Sequence, residues 1–252
     1  MDVAIRGDRA SCLSLQLGPR SWLFAVARGF GVVDGVAAAP ATLAKLRSEC
    51  ERRSRAERFR RAIDRPQAAA TAILGVLSRV NGLLYSRSAA HDDYVTAGCS
   101  LTVAVVVRGH AYVIHTGGTA AYLAHKGDVN ALTGDDTLDD RAHVVLSRAL
   151  GTTSSLDVGV TSIAVDSGDV MILMGHRVRG DVDRRALISH VEASGDNEYM
   201  LVIRFDDGDR ALDELTTHVR PHVTYGIALG LRVGLTLGAF VLGFLLTTAW
   251  AS

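Results

Sequence analysis

The sequence predicts an α+β domain of two antiparallel sheets packed face to face and covered by helices, followed by one C-terminal transmembrane helix. Two long helical segments follow a single buried strand, and a series of short β runs separated by glycine turns comes after them. This order is typical of α+β architecture and not of alternating β-α-β units. An uncharged stretch of 18 residues, 233–250, indicates the membrane helix.

The first strand and the two long helices are predicted in the N-terminal third of the chain. Residues 21–27 form a continuous apolar run, which is typical of a buried strand. A long helix is expected to begin at Pro40 and to end near residue 63, because Pro66 then interrupts the pattern. A second helix is predicted over 67–85, where apolar residues recur at helical spacing.

The remainder of the domain is predicted to consist of short strands with two short helices between them. The strands are expected at residues 99–107, 111–115, 120–125, 128–132, 157–165, 170–174 and 198–205. The helices are expected near residues 140–150 and 182–191. Turns at Gly109 and Gly127 separate successive strands, and hairpins at this spacing favour two sheets packed against each other.

The C-terminal segment is predicted to make this a single-pass membrane protein. At about 1.5 Å per residue, a helix over 233–250 covers roughly 27 Å, close to the hydrocarbon core of a bilayer. We expect a domain over 1–207, a juxtamembrane linker over 208–222 and the membrane helix over 223–250. The positive-inside rule places the domain in the cytoplasm. The alternative is a buried helix of a soluble fold.

Small residues are spaced regularly along the predicted membrane helix. Gly226, Gly230, Gly234 and Gly238 recur every fourth residue, so they stack on one helix face. A homodimer through this face is one expectation. The other is that these glycines reflect only the general frequency of glycine in membrane helices.

Charge and cysteine content exclude several classes of function. Lys and Arg number 27, as do Asp and Glu, so no nucleic-acid partner is expected from overall charge. Cys12, Cys50 and Cys99 match neither a disulfide framework nor the spacing of a zinc site. Residues 45–65 are rich in arginine, which indicates either a solvated helix surface or contact with anionic lipid headgroups.

Seven short segments carry a resemblance to a known family. They are residues 22–31, 97–101, 112–123, 132–138, 146–151, 168–174 and 196–197. Residues 26–31 read V-A-R-G-F-G, which resembles V-A-D-G-M-G, and residues 146–151 read L-S-R-A-L-G, which resembles L-T-R-A-L-G. Taken in order, the segments resemble the PPM family, the metal-dependent Ser/Thr protein phosphatases of type 2C. The resemblance covers roughly residues 6–206.

The resemblance implies an α-β-β-α sandwich with a pair of helices on each outer face. In the family, carboxylates between the sheet edges hold two Mn²⁺ or Mg²⁺ ions, and a metal-bridged water attacks the phosphoryl group. Hard divalent cations need clustered oxygen ligands, which is why carboxylates surround such a centre.

The sequence departs from the family at the positions of this metal site. Arg28 stands at the bridging Asp, Gly118 at the Asp of G-D-S-R, and His176 at the Asp of S-D-G. The altered metal-site positions are Ser14, Arg28, Gly29, Gly118 and His176, and Asp196 is the one metal-site Asp that matches. One carboxylate cannot hold two metal ions. We therefore expect no catalytic residue and no metal cofactor.

The sequence favours a pseudophosphatase that acts as a membrane-anchored binding or regulatory module in Ser/Thr phosphorylation signalling. Arg28, His176 and Arg177 are expected to form a cationic pocket for a phosphorylated side chain, with a phosphoprotein or kinase at the membrane as partner. The alternative for the pocket is that these positions are unconstrained surface.

Two other functions stay open from the sequence. One is a divergent but active phosphatase with Mn²⁺ or Mg²⁺, in which other carboxylates replace the lost ligands. The candidates are Asp34, Asp92, Asp93 and Asp135. The other is an unrelated sandwich with a structural role.

Overall fold

Alternation of buried side chains along the strands builds two sheets that share one apolar interior. The computed structural model describes residues 1–33, 36–88, 97–140, 143–178, 180, 182–194 and 199–205. Within them, one five-stranded sheet has the order β1-β14-β13-β8-β9 and the other has the order β12-β7-β6-β3-β2. Neighbouring strands in both sheets are antiparallel, as the sequence predicts.

The elements have the following bounds. The strands are β1 (Asp2–Arg6), β2 (Cys12–Gly18), β3 (Ser21–Phe30), β4 (Val32–Val33), β5 (Val36–Ala37), β6 (Gly98–Val107), β7 (His110–Thr116), β8 (Ala120–His125), β9 (Asp128–Ala131), β10 (Thr137–Asp140), β11 (His143–Leu146), β12 (Gly159–Ala164), β13 (Val170–Met174) and β14 (Met200–Arg204). The helices are α1 (Ala38–Ser54), α2 (Glu57–Ile63), α3 (Pro66–Ser88) and α4 (Arg184–Ser194), with a 3₁₀ turn at Arg9–Ser11.

Three apolar clusters divide the domain into four layers. Successive side chains of a strand point to opposite faces of the sheet. In β3, Leu23 and Ala25 therefore face α1 and α3, while Phe24 and Val26 face the other sheet. In β13, Met171 packs in the layer between the sheets and the alternate residues pack beneath α4. The predicted sandwich of two antiparallel sheets flanked by helices is confirmed. The expected pair of helices on each outer face is not what the described residues show, since α1, α2 and α3 cover one face and α4 covers the other.

Two predictions of secondary structure are wrong. The helix expected near 140–150 is instead the hairpin β10–β11, whose ends are joined where the Ser147 N–H donates to the Asp136 carbonyl over 2.8 Å. The single helix expected over 40–63 is two helices, because Ala56 adopts an extended conformation between α1 and α2. The strands β1 and β2 and the small hairpin β4–β5 are additional elements that the sequence did not indicate.

One described helix has the length and apolarity of a membrane span. Pro66–Arg87 has a mean hydropathy of 1.3 over its most apolar window. In the fold, its residues Ile73, Leu77 and Val80 are fully buried in the cluster between α1, α3 and the sheet, so it serves as a core helix. The predicted C-terminal span over 223–250, its glycines and the linker over 208–222 lie outside the described residues and stay predictions.

Tyr122 connects the sheet to the segment that follows β13. Its side chain is fully buried, and its hydroxyl oxygen accepts a hydrogen bond from the Val178 N–H at 2.9 Å. This bond fixes the chain directly after His176 and Arg177.

We predict that Tyr122→Phe lowers the free energy of unfolding by about 1–2 kcal/mol, because the buried Val178 N–H loses its partner. Urea denaturation of the full chain, followed by circular dichroism, measures this. Tyr85→Phe is the matched control, since Tyr85 is exposed and should leave stability unchanged. Equal stability of Y122F and the wild type would contradict the prediction.

Candidate functional site

A pocket of about 560 Å³ lies where the ends of several strands meet. Antiparallel pairing places the end of one strand beside the start of the next. Arg28 near the end of β3 is thus paired with Ser100 near the start of β6. The loops after β7 and β13 close the other sides. The pocket is lined by Arg28, Gly29, Phe30, Ser100, Gly118, Asp135, Thr137, Leu146, His176 and Arg177.

Arg28 supplies an exposed positive charge at this pocket. Among the described residues, no carboxylate lies within ion-pair distance of its guanidinium. Gly29 brings the same strand end against the start of α1, since a Cβ there would lie 2.3 Å from the backbone nitrogen of Ala39. Glycine is therefore required beside Arg28. The close packing of the Gly29 backbone against the start of α1 fixes the backbone of Arg28 at the edge of the pocket.

Arg177 joins the segment after β13 to the loop before β10. Its Nη2 donates to the Thr133 carbonyl at 2.6 Å and to the Thr133 hydroxyl at 2.8 Å, and it also contacts the Gly134 carbonyl. Its Nε lies 4.0 Å from Oδ1 of Asp135. Part of its donor capacity is thus used within the protein, while its charge contributes to the pocket wall.

Asp135 is the carboxylate among the described lining residues. Its Oδ1 accepts hydrogen bonds from the backbone N–H of Thr137 at 3.0 Å and from the Thr137 hydroxyl at 2.6 Å. The Thr137 hydroxyl bond is the main cause that lowers the pKa of Asp135 below its ordinary value, although burial opposes it. The carboxylate is therefore ionised at neutral pH and already held by the loop that carries it.

His176 lies between Gly175 and Arg177 and lines the same pocket. Its ring centroid is 6.3 Å from that of Tyr199, with 52° between the ring planes. A Cβ on Gly175 would lie 2.5 Å from the Tyr199 ring, so glycine allows this ring to cover the backbone there. The Tyr199 ring therefore packs against the backbone next to His176, directly after β13.

A buried polar network lies behind the pocket, and sequence reasoning missed it. Oδ1 of Asp136 accepts a hydrogen bond from Arg148 Nη2 at 2.6 Å, and its Oδ2 accepts one from the Gly117 N–H at 2.9 Å. His115 Nε2 lies 3.5 Å from the same Oδ2, and its Nδ1 is 3.1 Å from the Thr102 hydroxyl. The one signal available in the sequence is that His115 lies within residues 112–123, one of the segments that resemble the PPM family.

In this network, the His115 ring is neutral and the Asp136 carboxylate is ionised. Burial is the main cause that lowers the pKa of His115 to about 4, so the ring is neutral at physiological pH. Burial alone would raise the pKa of Asp136, but the hydrogen bonds from Arg148 and Gly117 outweigh it and the pKa lies below its ordinary value. The Asp136 carboxylate is thus charged and paired with Arg148.

The donor set of the pocket does not fit a pair of divalent cations. Among the described residues, no group of three or more His, Cys, Asp or Glu side chains is close enough to hold a metal ion. Asp135 offers one carboxylate, while Arg28 and Arg177 add two positive charges. Hard cations need several oxygen ligands, and neighbouring arginines oppose them.

The structure brings together five of the residues singled out from the sequence: Arg28, Gly29, Gly118, His176 and Arg177. Asp135, one of the proposed substitute ligands, joins them. Ser14 lies in β2 opposite Phe24 and is not among the described residues that line the pocket. Four further candidates lie outside the described residues: Asp34, Asp92, Asp93 and Asp196.

The backbone arrangement is that of the PPM-type Ser/Thr phosphatases. PppA, a key regulatory component of T6SS in Pseudomonas aeruginosa, is 18% identical and aligns over 80% of this chain and 96% of its own with a TM-score of 0.59. Stp1 from Staphylococcus aureus is 12% identical over 82% and 95%, with a TM-score of 0.62. MsPP from Mycobacterium smegmatis, solved in complex with cacodylate, is 20% identical over 81% and 97%, with a TM-score of 0.57.

The likeness lies in the fold. No protein-family model matches the sequence, and no curated protein matches it either. At identities of 12–20%, shared backbone geometry establishes the fold and does not establish an activity. The resemblance to the PPM fold expected from the sequence is confirmed.

We predict that the stability of the domain decreases as the pH falls from 6.5 towards 4. An unfolded histidine takes up its proton near pH 6.5, whereas folded His115 does so near 4, so acid favours the unfolded chain in this window. The loss attributable to His115 is about 3 kcal/mol at most. Urea denaturation at several pH values measures it. His115→Gln should flatten the dependence, whereas His110→Gln, at an exposed position, should preserve it. An identical pH dependence in H115Q and the wild type would contradict the prediction.

Proposed function

We propose that this protein is a catalytically inactive PPM-fold module that binds a phosphorylated Ser or Thr side chain of a partner protein in this pocket. The single observation that carries the proposal is the position of Arg28. It is an exposed cation without a carboxylate partner among the described residues, and it stands where the resemblance implies a metal-bridging Asp.

The chemistry of the pocket suits a phosphate dianion. Arg28 can donate two parallel hydrogen bonds to phosphate oxygens, which are among the stronger hydrogen bonds in proteins. The Ser100 hydroxyl, which accepts from the Gly118 N–H at 2.9 Å, also lines the pocket and can donate to an anion. His176 adds a ring N–H donor, and Arg177 adds further donors and a positive charge. MsPP, which has this fold, was solved with the tetrahedral anion cacodylate, and this supports an anion as ligand.

The proposed setting is the cytoplasmic face of a membrane. The uncharged segment 233–250 would anchor the chain, and glycine-lined membrane helices would permit a homodimer. A phosphoprotein or kinase beside the membrane is then the proposed partner. PppA, which shares the fold, is described as a regulatory component of its own system, which is compatible with a regulatory role here.

A second candidate function is a divergent active phosphatase, and one observation favours it. Asp135 places an ionised carboxylate in the pocket. Its Oδ1 already accepts two hydrogen bonds and faces Arg177, so it is less available to a metal ion than a free carboxylate.

A measurement of metal binding and hydrolysis separates the two functions. We expect the full chain in neutral detergent to bind no Mn²⁺ tightly by calorimetry and to show no p-nitrophenyl phosphate turnover in excess Mn²⁺. Turnover that is lost in Asp135→Asn would contradict the inactive module and support the active enzyme.

We predict that Arg28→Ala weakens binding of a phosphothreonine peptide by tenfold or more, because charge-assisted hydrogen bonds contribute about 1.5–3 kcal/mol. The affinity of Arg28→Lys should lie between those of the wild type and R28A, since lysine keeps the charge and loses the planar pair of donors. Arg55→Ala is the control, because Arg55 is exposed at the end of α1 and away from the pocket. Fluorescence anisotropy with labelled peptide measures all four proteins. Equal affinities of the wild type and R28A would overturn the proposal.

A further inference from the structure

The pocket has an apolar side as well as a cationic one. Phe30 and Leu146 line it together with Arg28. Phe30 is 39% exposed, so part of its ring faces solvent at the pocket. A phosphate group alone would gain nothing from these two side chains, so they point to a ligand that extends beyond the phosphate.

The ring of Phe30 is held in place by its neighbours. A Cβ on Gly98 would lie 2.4 Å from Phe30 Cζ, so the ring lies directly on the Gly98 backbone. Thr152 lies close to the same point, with its Cγ2 2.9 Å from where that Cβ would stand. One face of the Phe30 ring is therefore supported, while another part of the ring stays exposed. Because the ring is already held in place, binding of an apolar group there would cost little conformational entropy.

The spacing of Phe30 and Arg28 sets the shape of the ligand. Both lie in β3 two residues apart, and residues two apart in a strand are separated by about 7 Å along it. An extended peptide has the same repeat. When a phosphate rests on Arg28, the side chain of the peptide residue two positions away reaches Phe30.

Two further exposed apolar side chains lie close to Phe30 in the sequence. Val32 in β4 and Val36 in β5 are 58% and 49% exposed, and they follow Phe30 in the chain. Exposed apolar groups adjoining a polar site are typical of protein-binding surfaces. An apolar segment alone would not need Arg28, and a free phosphate would not need Phe30, so charge and apolarity together favour one ligand that carries both.

We infer that the pocket recognises a phosphorylated peptide with a large apolar residue two positions from the phosphorylated residue, and that Phe30 is the residue that determines this preference. The inference rests on the proposed function, because it requires the phosphate to bind at Arg28. Leu146 forms the opposite apolar wall.

Matched peptides test the inference. Phosphothreonine peptides with Leu two positions before or after the phosphorylated residue are compared with the same peptides carrying Ser there. The full chain in neutral detergent should bind one Leu peptide about tenfold more tightly than its Ser counterpart, because the Leu side chain is partly buried. Phe30→Ala should reduce the advantage of the Leu peptide over its Ser counterpart from about tenfold to less than about twofold. Phe30→Leu should retain most of it.

Val160→Ser is the matched control, because Val160 is 49% exposed on β12 and does not line the pocket. It should preserve the preference for Leu. Equal binding of the Leu and Ser peptides by the wild type in both directions would overturn the inference. An equal loss of phosphothreonine and peptide binding in F30A would also overturn it, since Phe30 would then only support the pocket. A preference for Leu in unphosphorylated peptides that is insensitive to R28A would overturn the proposed function and leave an apolar contact.

Discussion

Burial of both faces of the central strands is the constraint on which the rest of this domain depends. β3 and β13 each contribute one set of alternate residues to the layer between the sheets and the other set to a layer beneath helices. Polar substitution at either set would place an unpaired group in an apolar interior, which costs several kcal/mol. Strand ends lie outside these layers. Residues there can therefore change from carboxylate to arginine or glycine while the fold persists.

The loops around the pocket are joined by hydrogen bonds and ion pairs within the protein. A site built from clustered carboxylates depends on bound cations, because like charges in close proximity repel one another. Here the protein supplies the positive charges. Arg148 pairs with Asp136, and Arg177 fixes the loop that carries Asp135. Together with the Tyr122 hydroxyl that accepts from the Val178 N–H, these contacts hold the loops around the pocket in place.

The sequence was informative where a structural feature depends on a short, continuous stretch of residues. Continuous apolar runs predicted β6 and β13, and the ordered family segments predicted that Arg28, His176 and Arg177 would lie near one another. It was uninformative where structure depends on pairing between distant residues. The His115–Asp136 contact arises from tertiary packing and leaves no pattern in the chain. The local β10–β11 hairpin was missed for another reason, since its strands of four residues are too short to show a periodic pattern.

The charges that line this pocket favour an anion over a metal ion, so the two kinds of ligand are mutually exclusive here. Exposure lets water solvate Arg28, so a guanidinium without a carboxylate partner among the described residues costs little there, whereas a divalent cation placed beside it would be repelled at short range. An anion experiences the opposite effect, and its attraction increases as it displaces water from the pocket. Arg177 acts in the same direction, although its partial pairing with the Asp135 loop reduces its share. In the proposed function, Arg28 therefore makes the largest contribution to the attraction for an anion, and Phe30 beside it would determine which anions gain further contact.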